Sequence, residues 1–300
     1  MNLLEIKQLS SQQLRNLIEI GLQNPEAAGS PLLGKTAALI FEKPSARTRH
    51  SSEVAIVQLG GHPVYTRGDE VGMDVRESVE DITRVLAGYH ALLAARVFEH
   101  ATLQRMAAVS TVPVVNLLSD FEHPLQAIAD VITMSEEFGD LSGKSVAWVG
   151  DFNNVARSLS WACALLGMHV RLACPAGYDA PDEELQGLLA AGASSVEQYR
   201  DARLAVDGAV AVHTDTWTSM GQEEEREIRL AVFSPFQVTS ETMAQADPRA
   251  IFMHCLPAHR GEEVAPEVID GAQSRVIRQA HHRLSSARAV FAWLVGQGGR

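Results

Sequence analysis

The chain has 300 residues, of which 46% are hydrophobic and 21% are charged, and it carries a formal net charge of -12. This composition describes an ordinary globular protein with one large domain or two of about 150 residues. The bulk acidity argues against general affinity for nucleic acid or for an anionic membrane. We find neither an apolar run of ~18 residues, as a membrane span requires, nor a secretory signal in MNLLEIKQLS. The three cysteines are scattered, which excludes a disulfide framework and fits a reducing cytoplasm.

Short apolar runs of strand length alternate with longer amphipathic segments. In the first half the predicted strands are TAALIF (36–41), HALLAA (90–95) and VPVVNL (112–117). In the second half they are SVAWVG (145–150), HVRLAC (169–174), GAVAVH (208–213) and AIFMHC (250–255). This alternation predicts an α/β protein with two doubly wound domains, each built on a parallel sheet.

The polar, glycine-containing segment 136–144 separates the two series of strands and predicts a domain boundary near Phe138. The last segment, from Gln279 to Trp293, has the pattern of an amphipathic helix long enough to return to the first domain. We therefore predict one domain from 1–137 together with 279–300, and a second domain from 138–278.

The segment FEKPSARTRHSSEVAIVQLGG follows the first strand and predicts a helix that runs to about Leu59. Ser45 and Thr48 provide cap chemistry and hydroxyl donors, and Arg47 adds a guanidinium that can hold two phosphate oxygens. Because a helix N-terminus favours an anion, the segment predicts an anion site. A capped helix with solvated arginines is the alternative from this segment alone.

Two further strand ends should reach the same edge of the sheet. AARVF places Arg96 at the end of one strand, and HPLQ follows VPVVNL with His123 and Gln126 on one face of a probable helix start. Both of these side chains offer a donor to an oxygen ligand. A lone histidine more often has a structural role, but the expected proximity of Arg96 and Gln126 to His123 favours a role in binding.

SARTR, the arginine of AARVF, HPLQ and the motifs described below resemble the aspartate and ornithine carbamoyltransferase family over nearly the whole chain. This resemblance implies that phosphate is bound by Ser45, Ala46, Arg47 and Thr48. It also implies that Arg96, His123 and Gln126 bind the carbonyl and amide ends of carbamoyl phosphate, whereas we expect Arg49 to make a structural pair. The family usually has threonine where Ala46 stands, and a glutamine that ornithine enzymes contribute to a neighbouring subunit aligns roughly with Glu70.

The second half opens with VAWVGDFNNVARSL, which lacks the G-x-G-x-x-G spacing of a dinucleotide site. Its D-x-N-N arrangement resembles the family's ornithine loop, in which Asn154 would hold the amino-acid carboxylate. The later string D-x-W-x-S-M-G resembles the ornithine motif, and Asp215, Ser219 and Met220 would hold the α-ammonium group. An acidic surface loop is the alternative to this interpretation.

HCLPAHRG follows the last predicted strand and contains Cys255. A nucleophilic cysteine would need a base, and a zinc site would need further ligands, and neither is supplied convincingly. The resemblance instead places Cys255 beside the substrate amine and the Leu256 carbonyl opposite the carbamoyl amide. Aspartate-using relatives have P-L-P-R here, so C-L-P-A favours a cationic acceptor. Arg283, in HHRLSS, matches the family's last carbamoyl phosphate ligand.

The resemblance implies direct transfer from carbamoyl phosphate to the side-chain amine of ornithine, with no metal and no cofactor. Arg96, His123, Asp215 and Cys255 are the predicted catalytic residues. Because the two substrates are expected to bind to different domains, we expect ordered binding with carbamoyl phosphate first. The resemblance also implies a homotrimer or a multiple of trimers. The alternatives are another amine acceptor, such as acetylornithine or putrescine, and a non-catalytic paralogue.

Overall fold

The chain divides into two units that each contain a parallel β-sheet. In this computed structural model, residues 1–218 and 223–297 are described. The first unit comprises Met1–Ile132 with His281–Arg300, and the second comprises Thr133–Ala280. Within the described ranges, no helix combines the length and the apolar character needed to cross a bilayer.

The first unit has a four-stranded sheet in the order β2-β1-β3-β4, with every neighbouring pair parallel. Its strands are β1 (Thr36–Phe41), β2 (His62–Arg67), β3 (Leu92–Arg96) and β4 (Val114–Leu118). Its helices are α1 (Ser11–Leu22), α2 (Ala46–Gln58), α3 (Gly68–Val71), α4 (Val79–Ala87) and α5 (His100–Val109). Helix α6 (Pro124–Phe138) begins in this unit and ends in the next.

The second unit has a five-stranded parallel sheet in the order β7-β6-β5-β8-β9. Its strands are β5 (Ser145–Val149), β6 (His169–Ala173), β7 (Ser195–Tyr199), β8 (Ala211–Thr214) and β9 (Ile251–His254). Its helices are α7 (Asn154–Leu165), α8 (Asp182–Ala191), α9 (Ala202–Val206), α10 (Arg226–Phe233), α11 (Ser240–Met243) and α12 (Pro266–Ile269). Helix α13 (Val276–Gln297) starts here and ends in the first unit.

The central strands are mostly buried and largely apolar because helices cover both faces of a parallel sheet. In β1 all residues after Thr36 are buried, and β3 is buried throughout. Trp148 of β5 is buried and stacks on His213 of β8 with 5.1 Å between ring centroids. Each sheet therefore anchors its own core, and the loops at the carboxyl ends of the strands are left to carry polar residues.

The predicted class, two parallel α/β domains with the last helix returning to the first, is confirmed. Two strands were not predicted, β2 and β7, and both lie at sheet edges. The division between the units falls inside α6, at Ile132 and Thr133, rather than at Phe138, which is the last residue of that helix. The return occurs between Ala280 and His281.

Candidate active site

The N-terminus of α2 is built by the cap that the sequence predicted. Ser45 is the N-cap residue, and its Oγ accepts the Thr48 N–H at 3.4 Å and donates to Thr48 Oγ1 at 3.1 Å. Thr48 is buried, whereas Ala46 and Arg47 are exposed. The first turn of this 13-residue helix thus offers backbone N–H groups and an exposed guanidinium to an anion.

Arg49 lies on a different side of α2 and has a structural role, as predicted. Its Nε donates to Glu53 at 2.9 Å, and its guanidinium lies over the Tyr65 ring at 3.7 Å from the centroid. These contacts tie α2 to β2. Arg49 and Arg47 are therefore a natural pair for comparison, since both are exposed but Arg49 already contacts Glu53 and Tyr65.

Arg96 is the last residue of β3 and is 7% exposed. It pairs in register with Phe41, the last residue of β1, and its carbonyl accepts the Glu42 N–H at 2.9 Å. The register between β3 and β4 shifts at Ala95 and Arg96. The strand geometry therefore places Arg96 at the carboxyl edge of the sheet, next to the start of the β1–α2 loop.

His123, Gln126 and Arg283 form a buried cluster in the first unit. His123 immediately precedes α6, and its Nε2 lies 3.4 Å from Nη1 of Arg283. The same Nη1 donates to Gln126 Oε1 at 2.7 Å, and Gln126 Nε2 donates to Asp130 at 2.7 Å. The predicted contribution of α13 to this domain is thus made through Arg283, which contacts two of the predicted ligand residues.

The pKa of His123 is lowered well below its usual value. Burial is the largest cause, and the positive charges of Arg283 and Arg96 add to it. The imidazole is therefore neutral near pH 7, so it can donate one N–H hydrogen bond but does not carry charge. Positive charge in this cluster is supplied by the arginines alone.

In the second unit, polar residues follow three adjacent strands of the sheet, β5, β8 and β9. Asp215 follows β8, and its Oδ1 accepts from Cys255 Sγ at 3.0 Å and from the Thr216 N–H at 2.8 Å. Its Oδ2 accepts from Asn153 Nδ2 at 3.0 Å. Three donors thus fix a carboxylate that is 8% exposed, and a fixed carboxylate is suited to hold an ammonium group.

The other residues predicted to bind the amine substrate are Asn154, Ser219 and Met220. Asn154 is the first residue of α7, and Ser219 and Met220 lie outside the described residues. The segment before them is anchored by Trp217, which is buried and stacks on Phe233 at 5.9 Å. Arg229 donates to the Trp217 carbonyl at 3.0 Å and to Asp151 at 2.8 Å. Burial is the largest influence on the Asp151 carboxyl and raises its pKa, although Arg229 opposes it.

The HCLPAHRG segment is held by a buried histidine and a buried glutamate. His254 Nδ1 accepts the Leu256 N–H at 2.9 Å, and His254 Nε2 lies 3.1 Å from Glu263 Oε1. Glu263 Oε1 also accepts the His259 N–H at 2.6 Å. Leu256 has φ of 60° and is followed by a cis peptide bond to Pro257. This network fixes the backbone on which Cys255 and Leu256 stand.

The same hydrogen bonds bear on the two alternatives for this segment. Potential ligand atoms of Asp215, His254 and Cys255 lie within 4.8 Å of one another. Two of these atoms already have partners within the protein, since the Cys255 thiol donates to Asp215 and His254 Nδ1 accepts the Leu256 N–H. This arrangement favours neither a metal nor a nucleophilic thiolate at these residues.

Comparisons with known proteins agree with this division of polar residues between two units. Residues 1–136 match "Aspartate/ornithine carbamoyltransferase, carbamoyl-P binding domain", and residues 142–294 match the "Asp/Orn binding domain" of the same family. The chain belongs to this family. The family resemblance expected from the sequence is therefore confirmed.

Several relatives within the family are similar to the chain over nearly its whole length. An ornithine carbamoyltransferase of Thermus thermophilus is 46% identical over 98% of this chain and 96% of its own. A solved ornithine carbamoyltransferase of Pyrococcus furiosus has a TM-score of 0.93 at 41% identity, covering 98% of this chain and 97% of its own. An acetylornithine transcarbamylase complexed with acetylcitrulline is 29% identical, with a TM-score of 0.87 and coverage of 98% and 99%.

Some residues that shape the site were not predicted. No role was predicted for His254 or Glu263, and a ligand role was predicted for Asn154 but not for Asn153. The helix-capping signal of asparagine before VARSL was available, whereas the contact with Asp215 was not. Arg229 was missed entirely, because a single arginine in an amphipathic helix looks like a solvated residue.

Proposed function

We propose that this protein transfers the carbamoyl group of carbamoyl phosphate to the side-chain amine of L-ornithine, giving L-citrulline and phosphate. The observation that carries the proposal is the Asp215 carboxylate, held by Asn153, Cys255 and Thr216 in the domain that matches Asp/Orn binding. The names of relatives at 40–46% identity support ornithine as the acceptor. The exposed Arg47 and the α2 N-terminus support phosphate binding.

In the proposed mechanism the neutral amine attacks the carbonyl carbon, and a tetrahedral intermediate forms with its negative charge on oxygen. Arg96, Thr48 and His123 stabilise that oxygen, and the neutral state of His123 suits a hydrogen-bond donor. The carbon–oxygen bond to phosphate then breaks, and the attacking nitrogen gives up one proton to the departing phosphate. Arg47 and the helix N-terminus stabilise that phosphate. Loss of one such donor should raise the barrier by about 3 kcal/mol. No cofactor takes part.

The remaining predicted roles extend this mechanism. Ser45, the Ala46 N–H, Gln126 and Arg283 bind carbamoyl phosphate, and the Leu256 carbonyl accepts from its amide. Asn154, Ser219 and Met220 join Asp215 in holding the amino-acid end of ornithine. We assign removal of the proton from the side-chain amine to Asp215 with Cys255, acting as a general base. We further propose a cytoplasmic protein that assembles as a homotrimer or a multiple of trimers, a state that light scattering would measure.

The function is tested by supplying carbamoyl phosphate with ornithine, acetylornithine, putrescine or aspartate, and measuring both phosphate release and the carbamoylated product. We expect turnover with ornithine that exceeds the other acceptors by at least about 100-fold in kcat/KM. Preferred turnover of acetylornithine would replace the acceptor assignment. No turnover with any amine, despite ligand binding, would leave the non-catalytic alternative.

The phosphate assignment is tested by Arg47→Ala with Arg49→Ala as a matched control on the same helix. The first substitution should lower kcat/KM for carbamoyl phosphate by about 100-fold or more, since it removes a bidentate phosphate ligand. The second removes the Glu53 pair and the Tyr65 contact but no predicted ligand. Unchanged turnover in Arg47→Ala, or equal losses in the two variants, would contradict the assignment.

A further inference from the structure

Asn153 lies between β5 and α7, and its side chain makes three hydrogen bonds. Its Oδ1 accepts the N–H groups of Val155 and Ala156, each at 3.0 Å, and caps α7. Its Nδ2 donates to Asp215 Oδ2 at 3.0 Å. Because two backbone N–H groups face one end of the amide, that end must be the oxygen, and the NH2 group must face the carboxylate.

The cap alone does not explain an asparagine at this position. Serine and aspartate cap helices about as well as asparagine does. Asparagine differs from both because it offers an acceptor to the helix and, on the same rigid amide, a donor to a second group. The residue type is therefore matched to the Asp215 contact as well as to the helix.

The two oxygens of Asp215 are held by different elements. The Cys255 thiol and the Thr216 N–H both donate to Oδ1, and within the described residues Asn153 is the donor to Oδ2. A carboxylate bonded at Oδ1 alone can still turn about its terminal torsion, which has a broad energy profile. The Asn153 contact removes that freedom.

We propose that Asn153 is a positioning residue for the amine substrate, which holds Asp215 Oδ2 in the orientation that receives the substrate's α-ammonium group. The inference rests on the proposed function, since it assigns Asp215 to that ammonium. In this proposal Asn153 orients Asp215 and does not itself contact the substrate.

A test by substitution must keep the cap while it removes the donor. Asn153→Ser does so, because its shorter hydroxyl side chain caps α7 but does not reach Asp215. We expect kcat/KM for ornithine to fall by about 10- to 100-fold at every pH, which corresponds to loss of one charge-assisted hydrogen bond. KM for carbamoyl phosphate and the thermal midpoint should change little, by about twofold and about 2 °C at most.

Asn153→Asp provides the second test, because it preserves the shape and the cap but places a carboxylate against Asp215. Two carboxylates at this distance retain one shared proton at low pH, and that proton restores a donor to Asp215. At higher pH the proton is lost and the two groups repel. The ratio of wild-type to variant kcat/KM for ornithine should therefore rise at least about tenfold between pH 6 and pH 9.

The other titratable groups that face Asp215 are the same in both enzymes. They are the Cys255 thiol, the His254 imidazole within 4.8 Å, and the Asp151 carboxyl, whose pKa the Asp215 charge helps to raise and which Arg229 pairs. Taking the ratio of wild type to variant at each pH cancels their titration and that of the substrate amine. A rise in the ratio thus reports the new carboxyl pair.

The outcomes separate this inference from the proposed function. If the wild-type protein does not carbamoylate ornithine, the proposed function fails. If it does, and Asn153→Ser leaves the ornithine parameters within about twofold, only the positioning role is overturned. A pH-independent ratio near one for Asn153→Asp would also overturn it, since a residue that merely caps α7 tolerates aspartate at every pH.

Discussion

Replacement of Glu263 tests how the HCLPAHRG segment is held. The glutamate is fully buried, and its Oε1 accepts hydrogen bonds from His254 Nε2 at 3.1 Å and from the His259 N–H at 2.6 Å. His254 is neutral in this arrangement, because its Nδ1 accepts the Leu256 N–H and only Nε2 carries a proton. The structure therefore predicts that the hydrogen bonds accepted by Glu263 Oε1, and not an ion pair between Glu263 and His254, stabilise the segment.

The magnitudes follow from the bonds lost. Glu263→Ala leaves the buried His254 Nε2 and the part-buried His259 N–H without an acceptor and adds a cavity, so it should cost about 3–5 kcal/mol. Glu263→Gln retains an oxygen in the same place and should cost only about 1 kcal/mol. At about 2–4 °C for each kcal/mol, the thermal midpoint should fall by about 10 °C in the first variant and by about 3 °C in the second.

The assay compares thermal unfolding of the two variants with the wild type, together with KM for ornithine. KM should rise in Glu263→Ala, because the backbone that carries Cys255 and Leu256 is no longer fixed. Equal losses in the two variants would refute the reasoning. That result would mean that His254 is an imidazolium, whose charge the glutamine leaves unpaired in a buried site.

Three further substitutions test other parts of the site. Burial and the positive charges of Arg283 and Arg96 lower the pKa of His123 in the folded state, so protonation of His123 disfavours folding. The free energy of unfolding should therefore be highest above about pH 6.5 and should decline as the pH falls below that value. His123→Asn should flatten that decline in thermal midpoints measured from pH 5 to 8, and an unchanged slope would contradict the cause. Ser45→Ala removes the α2 cap and should cost about 1 kcal/mol of stability, with a larger loss in phosphate affinity by calorimetry than Arg49→Ala causes. Cys255→Ser keeps a donor to Asp215 and should retain more ornithine turnover than Cys255→Ala, and the reverse order would exclude the thiol–carboxylate bond as the relevant contact.

The fold was predictable where apolar runs are buried on both faces, and less so at the sheet edges. TAALIF and SVAWVG are such runs, and they form the interior strands β1 and β5. The missed strands have the sequences HPVYTR in β2 and SVEQY in β7, which mix polar and apolar residues. The other two edge strands, β4 and β9, are buried runs and were predicted. The two missed edge strands are only partly buried, so they contain no continuous apolar run and resemble loops in sequence.

The predicted boundary near Phe138 and the division at Ile132 and Thr133 both fall within α6. Glu136 and Glu137 look like the polar start of a linker, but they continue α6 and pair with Arg278 and Arg275 of α13. Their charges are satisfied by a segment far away in sequence. A run of charged residues can therefore mark a helix that forms ion pairs with a distant segment as readily as it marks a solvent-exposed linker.

For the site, the helix cap and the strand ends could be predicted from the sequence, whereas the protonation state of His123 could not. The Ser45 cap on α2 follows from S-x-x-T, and the strand ends place Arg96 correctly beside the β1–α2 loop. The state of His123 depends on Arg283, which reaches it from the last helix, and on burial. Neither influence has a local signal, so the sequence suggested the residue but not its charge.

Hydrogen bonds around Cys255 and His254 bear on the chemistry that this site can perform. The Cys255 thiol donates to Asp215, whose carboxylate is also held by Asn153 and the Thr216 N–H. His254 accepts a backbone N–H at Nδ1 and faces Glu263 at Nε2, so both of its ring nitrogens already have partners. The base that faces the thiol is thus Asp215, the same carboxylate that we propose holds the substrate. We therefore expect the side-chain amine of the substrate, once it has lost its proton, to be the attacking group, with direct transfer and no carbamoylated group on the enzyme.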